Sequence, residues 1–315
     1  MFDISEDEIR EQLDPAKVIS ALEDAFRHQF PKTIIPARTH ITTANGVFLV
    51  MSCHDPLSGR VGVKLVTVLN ESATVDRIQA TYMLLDPVTA KPTLIIPANY
   101  LTDLRTAATS ALATKFLARE DAQVLGIFGT GRQARAHAKV LPLVRNFSRI
   151  LVCGTKRDKS FSFADEMSAH VNVTVEPADA ATCTAQSDVL CTCTTGLTSV
   201  VEGDLIRPGT HLNLIGAFRP QCREVDSRTI QRARIVVDTY DATLAEAGDL
   251  LIPMNEGLIT RKAILSDLHE LISRKKTIRR SDADITVFKS VGCALEDLVT
   301  ASLLQTSQIA GSRLA

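Results

Sequence analysis

Little in this sequence is one-sided. Its 315 residues carry 35 Lys and Arg against 36 Asp and Glu, a formal net charge of −1, so no broad basic surface marks nucleic acid or an anionic membrane as a main partner. No stretch reaches the ~18 apolar residues that a membrane-crossing helix needs. The start, Met1-Phe-Asp-Ile-Ser-Glu-Asp-Glu8, lacks the basic flank and apolar core of a secretion signal, and a cytoplasmic location is expected. The seven cysteines are an odd number, and Cys153, Cys191 and Cys193 sit in apolar, strand-like surroundings, so buried reduced thiols are expected. Cys191-x-Cys193 is too closely spaced for a redox or zinc pair and has no second pair, and the histidines show no HxxxH spacing; no metal is expected. Tryptophan is absent, which excludes nothing. Repeats and low-complexity segments are missing too.

What is present is most concentrated at Val124-Leu-Gly-Ile-Phe-Gly-Thr-Gly-Arg-Gln-Ala134. An apolar β-type run enters a glycine turn, Gly129-x-Gly131-x-x-Ala134, and a helical pattern follows at once. Gly129 permits the sharp turn, Gly131 lets a diphosphate approach the backbone, and Ala134 lets the helix pack on its strand. Free N–H groups at the helix start, from Thr130 through Arg132 and Gln133, would hold that diphosphate. A second strand, Arg149 to Cys153, follows one β-α-β unit later. This context makes the motif a dinucleotide site rather than an ordinary glycine turn.

At this length two domains are expected. Residues 5–29 read as an amphipathic helix broken near Asp14-Pro15, with Val18, Ile19, Leu22 and Phe26 on one face. From Arg38 to Pro97 short strands alternate with turn signals, which predicts a mostly antiparallel or mixed sheet. A helix over Leu101–Arg119 bridges to a βαβα region. Parallel strands are predicted at 123–128, 149–153, 172–175, 187–193, 211–215 and 234–238. Beyond them, Ile264–Ser273 reads as helix, Ile285–Ser290 as strand and Ala294–Gln305 as a helix returning to the first domain. The expected class is α/β, a Rossmann-type doubly wound parallel sheet over 119–289. A second α+β platform domain is expected from 1–118 with 290–315.

Several further features fall in a recognisable order: Arg38, Gly62-Val-Lys64, Leu101-Thr-Asp-Leu-Arg105-Thr-Ala-Ala, the Gly129–Ala134 turn, Ala245-Glu-Ala-Gly-Asp-Leu and Ser290-Val-Gly-x-Ala-x-Glu-Asp297. Together they resemble the ornithine cyclodeaminase/μ-crystallin family from about residue 15 to 305. The resemblance implies a platform domain that dimerises through its sheet, a Rossmann domain carrying NAD(P), and an active site in the cleft between them. Such a homodimer would act on a small imino or amino acid. Members include cyclodeaminases, ketimine reductases, amino acid dehydrogenases and a hormone-binding crystallin, so resemblance constrains the fold more than the reaction.

Lys64 lies between apolar Val63 and Leu65, where an unpaired ammonium is costly, so a ligand or an acidic partner is expected. The resemblance implies that Arg38, Lys64 and Arg105 grip a substrate α-carboxylate, which suits the planar fork of Arg, and that Lys64 polarises or protonates the reacting nitrogen. Thr81 resembles a family residue that positions substrate, although a strand threonine is the ordinary reading. After the second Rossmann strand stand Thr155, Lys156 and Arg157, where an NAD-specific chain usually places an acid. A 2′-phosphate would suit them, so NADPH is preferred with NADH the alternative, unless the segment is simply a solvated basic loop. Cys193-Thr194-Thr195-Gly196 follows the fourth predicted Rossmann strand and is expected to form a bed for the nicotinamide ribose, and Leu214-Ile-Gly216-Ala217 closes the next strand, at the mouth where ligands sit in such sheets.

One departure bears on the reaction. Cyclodeaminase members carry an Asp just after the Gly-Ala pair, and here Gly216-Ala217 is followed by Phe218, which transfers no proton. Glu224 and Asp226 are the nearby acids to test as its replacement. Reduction of a cyclic ketimine, 1-pyrroline-2-carboxylate or 1-piperideine-2-carboxylate to L-proline or L-pipecolate, is therefore favoured. A cyclodeaminase or amino acid dehydrogenase, and a non-catalytic NADPH-dependent binder, remain the alternatives.

Overall fold

The computed structural model describes residues 4–70, 78–89 and 91–312, with side chains up to residue 304. The chain divides into two compact units, one of residues 1–109 with 293–315 and one of Ser110–Gly292. The first division falls inside a single continuous helix, Asn99–Leu117, near whose C-terminal end the sequence reading placed its boundary.

In the first unit, α1 (Glu6–Gln12) starts on a reciprocal cap between Ser5 and Glu8. Asp14 then caps α2 (Pro15–Asp24) with Pro15 in its first turn, which is why the amphipathic run breaks there. Among the described residues five strands follow, β1 (Thr39–Thr43), β2 (Gly46–Asp55), β3 (Arg60–Leu69), β4 (Ile78–Leu85) and β5 (Pro92–Pro97). They pair in chain order and every pairing is antiparallel. Alternation along β3 buries Gly62, Lys64, Val66 and Val68 while Val61, Val63, Leu65 and Thr67 stay half-exposed. The helix Asn99–Leu117 is α3.

The second unit holds eight strands: β6 (Val124–Phe128), β7 (Arg149–Cys153), β8 (Thr174–Pro177), β9 (Val189–Thr192), β10 (His211–Leu214), β11 (Ala233–Val237), β12 (Ile264–Asp267) and β13 (Ile285–Lys289). All are parallel, in the order β12-β11-β13-β10-β9-β6-β7-β8. Helices α4 (Arg132–Val140), α5 (Arg157–Ser168), α6 (Ala180–Gln186), α7 (Ser227–Arg232), α8 (Tyr240–Glu246), α9 (Gly248–Asn255) and α10 (Leu268–Ile272) occur between them. Apolar residues fill both faces: Leu125, Ile127, Ile150 and Val152 belong to one core, Leu151, Leu190, Leu212 and Leu214 to another. The last helix, α11 (Ala294–Ser312), returns to the first unit and packs on β2, β3, β4 and α2.

Two expectations need correction. Residues 264–273 are not one helix: Ile264–Asp267 pairs with β11 as an edge strand, and Asp267 then caps α10 by accepting from the Glu270 N–H at 2.8 Å. A short apolar run has no period that separates helix from strand, and here sheet pairing decided. β13, predicted as a strand after the nucleotide sheet, is inserted inside it between β10 and β11.

Candidate active site

In the first unit a charged cluster lies beneath the platform sheet. Lys64 Nζ donates to Asp297 Oδ1 at 2.7 Å. Arg105, from α3, donates through Nε to the same oxygen at 3.0 Å and through a terminal nitrogen to Glu296 Oε2 at 2.6 Å. Lys64 is 1% exposed and Arg105 6%. Of the two expectations for Lys64, a ligand or an acidic partner, the structure supplies an acid: Asp297, on the first turn of α11 and 233 residues away. Burial, reinforced by the Arg105 charge, pulls the Lys64 ammonium down to about 8, against the pull of Asp297. Burial would also weaken the Arg105 charge, but Asp297 and Glu296 more than offset it and leave a permanent cation. Arg38 is half-buried and near enough for its charge to bear on Lys64. Among the described residues, Asp297 and Glu296 thus hold Lys64 and Arg105, with the Arg38 charge close by. Thr81 stands apart: β3–β4 register pairs it with Leu65 and pairs Lys64 with Tyr82, so Thr81 points to the opposite face of the sheet.

In the second unit the glycine turn caps β6. Gly129 has φ +110°, and a Cβ there would meet the Cys193 carbonyl oxygen at 2.5 Å. Its N–H bonds the Cys153 carbonyl at 2.8 Å, and the Cys193 N–H bonds the Phe128 carbonyl at 2.8 Å, so the ends of β6, β7 and β9 are tied together. Gly131 is different. It is the N-cap of α4 with ordinary backbone angles, and a Cβ would find nothing within 4 Å. Ala134 is fully buried against the sheet. A helix N-terminus with open space before it, beside strands β6 and β9 where strand order reverses, fits a dinucleotide diphosphate. Thr130, Arg132 and Gln133 lie on this turn; the Thr130 carbonyl is held by Arg135, which also pairs with Glu166 at 2.6 Å. Thr155, Lys156 and Arg157 are all exposed where β7 leads into α5.

Behind the turn, His137 is completely buried. Its Nδ1–H donates to the Gln133 carbonyl at 2.7 Å, and its Nε2 accepts from the Ser110 hydroxyl at 2.9 Å. Burial drives it down to about 4, so it is neutral. The next loops are organised by a residue that the sequence named only as a possible base. Glu224, fully buried, accepts from the Thr194 N–H and hydroxyl on Oε1, both at 2.8 Å. On Oε2 it accepts from the Thr192 hydroxyl at 2.8 Å, the Gly216 N–H at 2.6 Å and the Ala217 N–H at 3.3 Å. Burial raises its carboxyl, with Lys289 pulling the other way.

Lys289 pairs with Asp249 at 3.0 Å and donates to the Ala217 and Leu214 carbonyls, while Asp249 accepts the Glu224 and Val225 N–H groups. Gly248 explains the Ala245–Leu250 motif, because a Cβ there would meet the Cys222 carbonyl oxygen at 2.1 Å. Asp226 is equally committed, accepting from the Thr229 N–H and hydroxyl and from the Gly203 N–H. Neither acid is free to replace the family Asp at Phe218, whose half-buried ring packs on the core.

A sequence profile of the ornithine cyclodeaminase/mu-crystallin family matches residues 3–311, and the chain belongs to that family. Delta(1)-pyrroline-2-carboxylate reductase of Bacillus cereus is 33% identical over 314 residues, covering 96% of this chain and 95% of the relative. Among solved structures, Thermococcus litoralis Delta(1)-pyrroline-2-carboxylate reductase in complex with NADH and L-proline matches with TM-score 0.95 and 34% identity, over 99% of this chain and 98% of that one. An archaeal alanine dehydrogenase dimer with bound NAD matches with TM-score 0.92 and 26% identity, over 98% and 96%.

Proposed function

We propose that this protein is an oxidoreductase that reduces the C=N bond of a cyclic 2-imino carboxylate, 1-pyrroline-2-carboxylate and its six-membered homologue, to the cyclic L-amino acid. The observation that carries this reading is the buried Lys64–Asp297–Arg105 cluster, in a chain 34% identical to a reductase held with NADH and L-proline. The nicotinamide dinucleotide, when bound, supplies the hydride to the imine carbon. The chain's own residues do the rest. Arg105 and Arg38 offer guanidinium groups to the substrate carboxylate, and a planar fork fixes its orientation. Lys64, near 8, is still mostly an ammonium at neutral pH and holds a proton beside the bound imino acid. A cyclic imine is basic enough to arrive protonated, so the nitrogen needs no dedicated acid. Deamination does need a base for the substrate amine. Phe218 offers none, and Glu224 and Asp226 are spent on the fold.

Three finer points belong to the proposal. NADPH is preferred, supported by exposed Thr155, Lys156 and Arg157 at the end of β7. The protein is a homodimer formed through the outer face of the platform sheet, where Phe48, Val50, Val63, Leu65, Met83 and Ile95 share one face and are only half-buried. It works in the cytoplasm, supported by seven free thiols.

The test is a panel of cyclic and linear imino acids assayed by NADPH and NADH oxidation, with ornithine plus NAD⁺ assayed for ammonia. Fast reduction of 1-pyrroline-2-carboxylate and no ammonia are expected. Robust ammonia release would falsify the reductase assignment and restore the cyclodeaminase; binding without turnover on any imine would favour the non-catalytic reading.

A further inference from the structure

We propose that Glu224 is a positioning residue for the nicotinamide end of the bound dinucleotide, acting entirely from beneath the site. The inference rests on the reading of the second unit as a nicotinamide dinucleotide domain. Its basis is convergence: five donors from the ends of β9 and β10 meet on one carboxylate that is itself 0% exposed. A carboxylate accepting several backbone N–H groups fixes those groups tightly, because each charge-assisted bond is stronger than a neutral one. Here the groups fixed are the backbones of Thr194, Gly216 and Ala217, the bed beneath the nicotinamide ribose. Gly216 shows how close the fit is, since a Cβ on it would lie 2.4 Å from Glu224 Oε1 and 2.0 Å from the Thr194 carbonyl oxygen. The Thr194 loop is continuous with Cys193, whose carbonyl crowds Gly129 and whose N–H bonds Phe128. One buried acid therefore sets the nicotinamide bed in register with the diphosphate turn.

The carboxylate is itself held in place. Asp249 accepts the Glu224 N–H at 2.7 Å, and Lys289 bridges from Asp249 to the Ala217 carbonyl. Glu224 is wholly buried and presents no surface to a ligand, and a residue in this role should affect one end of the dinucleotide and spare the other. That separates positioning from mere support of the fold.

The experiment compares two ligands on the full-length parent, Glu224→Gln and Thr192→Val. One ligand is the nicotinamide dinucleotide the parent binds more tightly. The other is the matching ADP-ribose, with the 2′-phosphate if that dinucleotide is NADPH. Loss of charge at Glu224 should weaken the dinucleotide by about tenfold or more while ADP-ribose stays within about twofold. Thr192→Val, which removes one donor to Oε2 and keeps side-chain shape, should shift the same ratio in the same direction by less. If Glu224→Gln does not fold, the Thr192→Val ratio decides. Equal losses for both ligands, or no loss of either, overturn the inference. A parent that binds no nicotinamide dinucleotide overturns both the inference and the functional reading; a parent that binds it, with variants that bind it equally well, overturns the inference alone.

Discussion

The two units offer opposite means of holding a ligand. The antiparallel platform uses charged side chains: Lys64 and Arg105 are buried cations balanced by Asp297 and Glu296, acids from a helix at the far end of the chain. The parallel sheet offers backbone: N–H groups at strand ends and a helix start, with buried acids such as Glu224 and Asp238 holding the loops from behind. Asp238 accepts from the Val291 and Gly292 N–H groups, both at 2.7 Å, much as Glu224 accepts from Gly216. Side-chain charge discriminates a small carboxylate whose position must be fixed. Backbone donors suit a long polyanion that meets the protein along a strand edge.

The sharpest way to break this contrast is to remove a charge from the first unit. Lys64→Met keeps most of the stem, and Asp297 retains Arg105, so the chain should fold while kcat/KM falls by about a hundredfold. In the parent, kcat/KM should decline as pH rises through about 8, because the ammonium is the competent form and is lost above its pKa. Steady-state kinetics from pH 6 to 10 check both; normal turnover in Lys64→Met would show that Lys64 serves only the fold.

Two glycines test the other side. Gly131→Val places a side chain in open space at an ordinary backbone angle, so stability should hold while dinucleotide affinity drops about ten- to a hundredfold. Gly129→Ala instead meets a positive φ and the Cys193 carbonyl, and should cost roughly 1–3 kcal/mol or more in stability. Thermal melts with and without dinucleotide distinguish them. If both variants behaved alike, the turn would be structural throughout.

Smaller effects sharpen the comparison. Arg157→Glu should reduce the preference for NADPH over NADH by about tenfold, read from the ratio of dissociation constants. Equal affinity for the two cofactors in the parent would remove the premise. Acid should also loosen the units unequally. His137 and His211 belong to the second unit, and burial holds them at about 4 and about 3. The unfolded chain takes up protons there below about 6.5, so stability is lost as pH falls from that value toward the folded ones. Hydrogen exchange at pH 4 to 5 should show residues 110–292 opening before the platform; opening of the platform first would contradict this account.

How much of this was legible depends on how far apart the interacting residues stand. Local patterns determined what local physics governs: the break at Asp14-Pro15, the alternation of β3 and the glycine turn after β6. The dinucleotide fold and the need of Lys64 for a ligand or an acid could also be read directly, because burial of an ammonium between Val63 and Leu65 has a cost wherever the partner lies. What only the tertiary structure decided were pairings across long stretches of chain. Asp297 was visible within a motif but not as the partner of Lys64, and Glu224 looked like a spare base until its lone pairs were seen to be taken. β13 read as a strand but not as one inserted between β10 and β11, and Thr81 read equally as a site residue or an ordinary strand threonine until register turned it to the other face. Sequence reports propensity and the cost of burying a group; it does not report which distant group meets that cost, because that choice is made by packing.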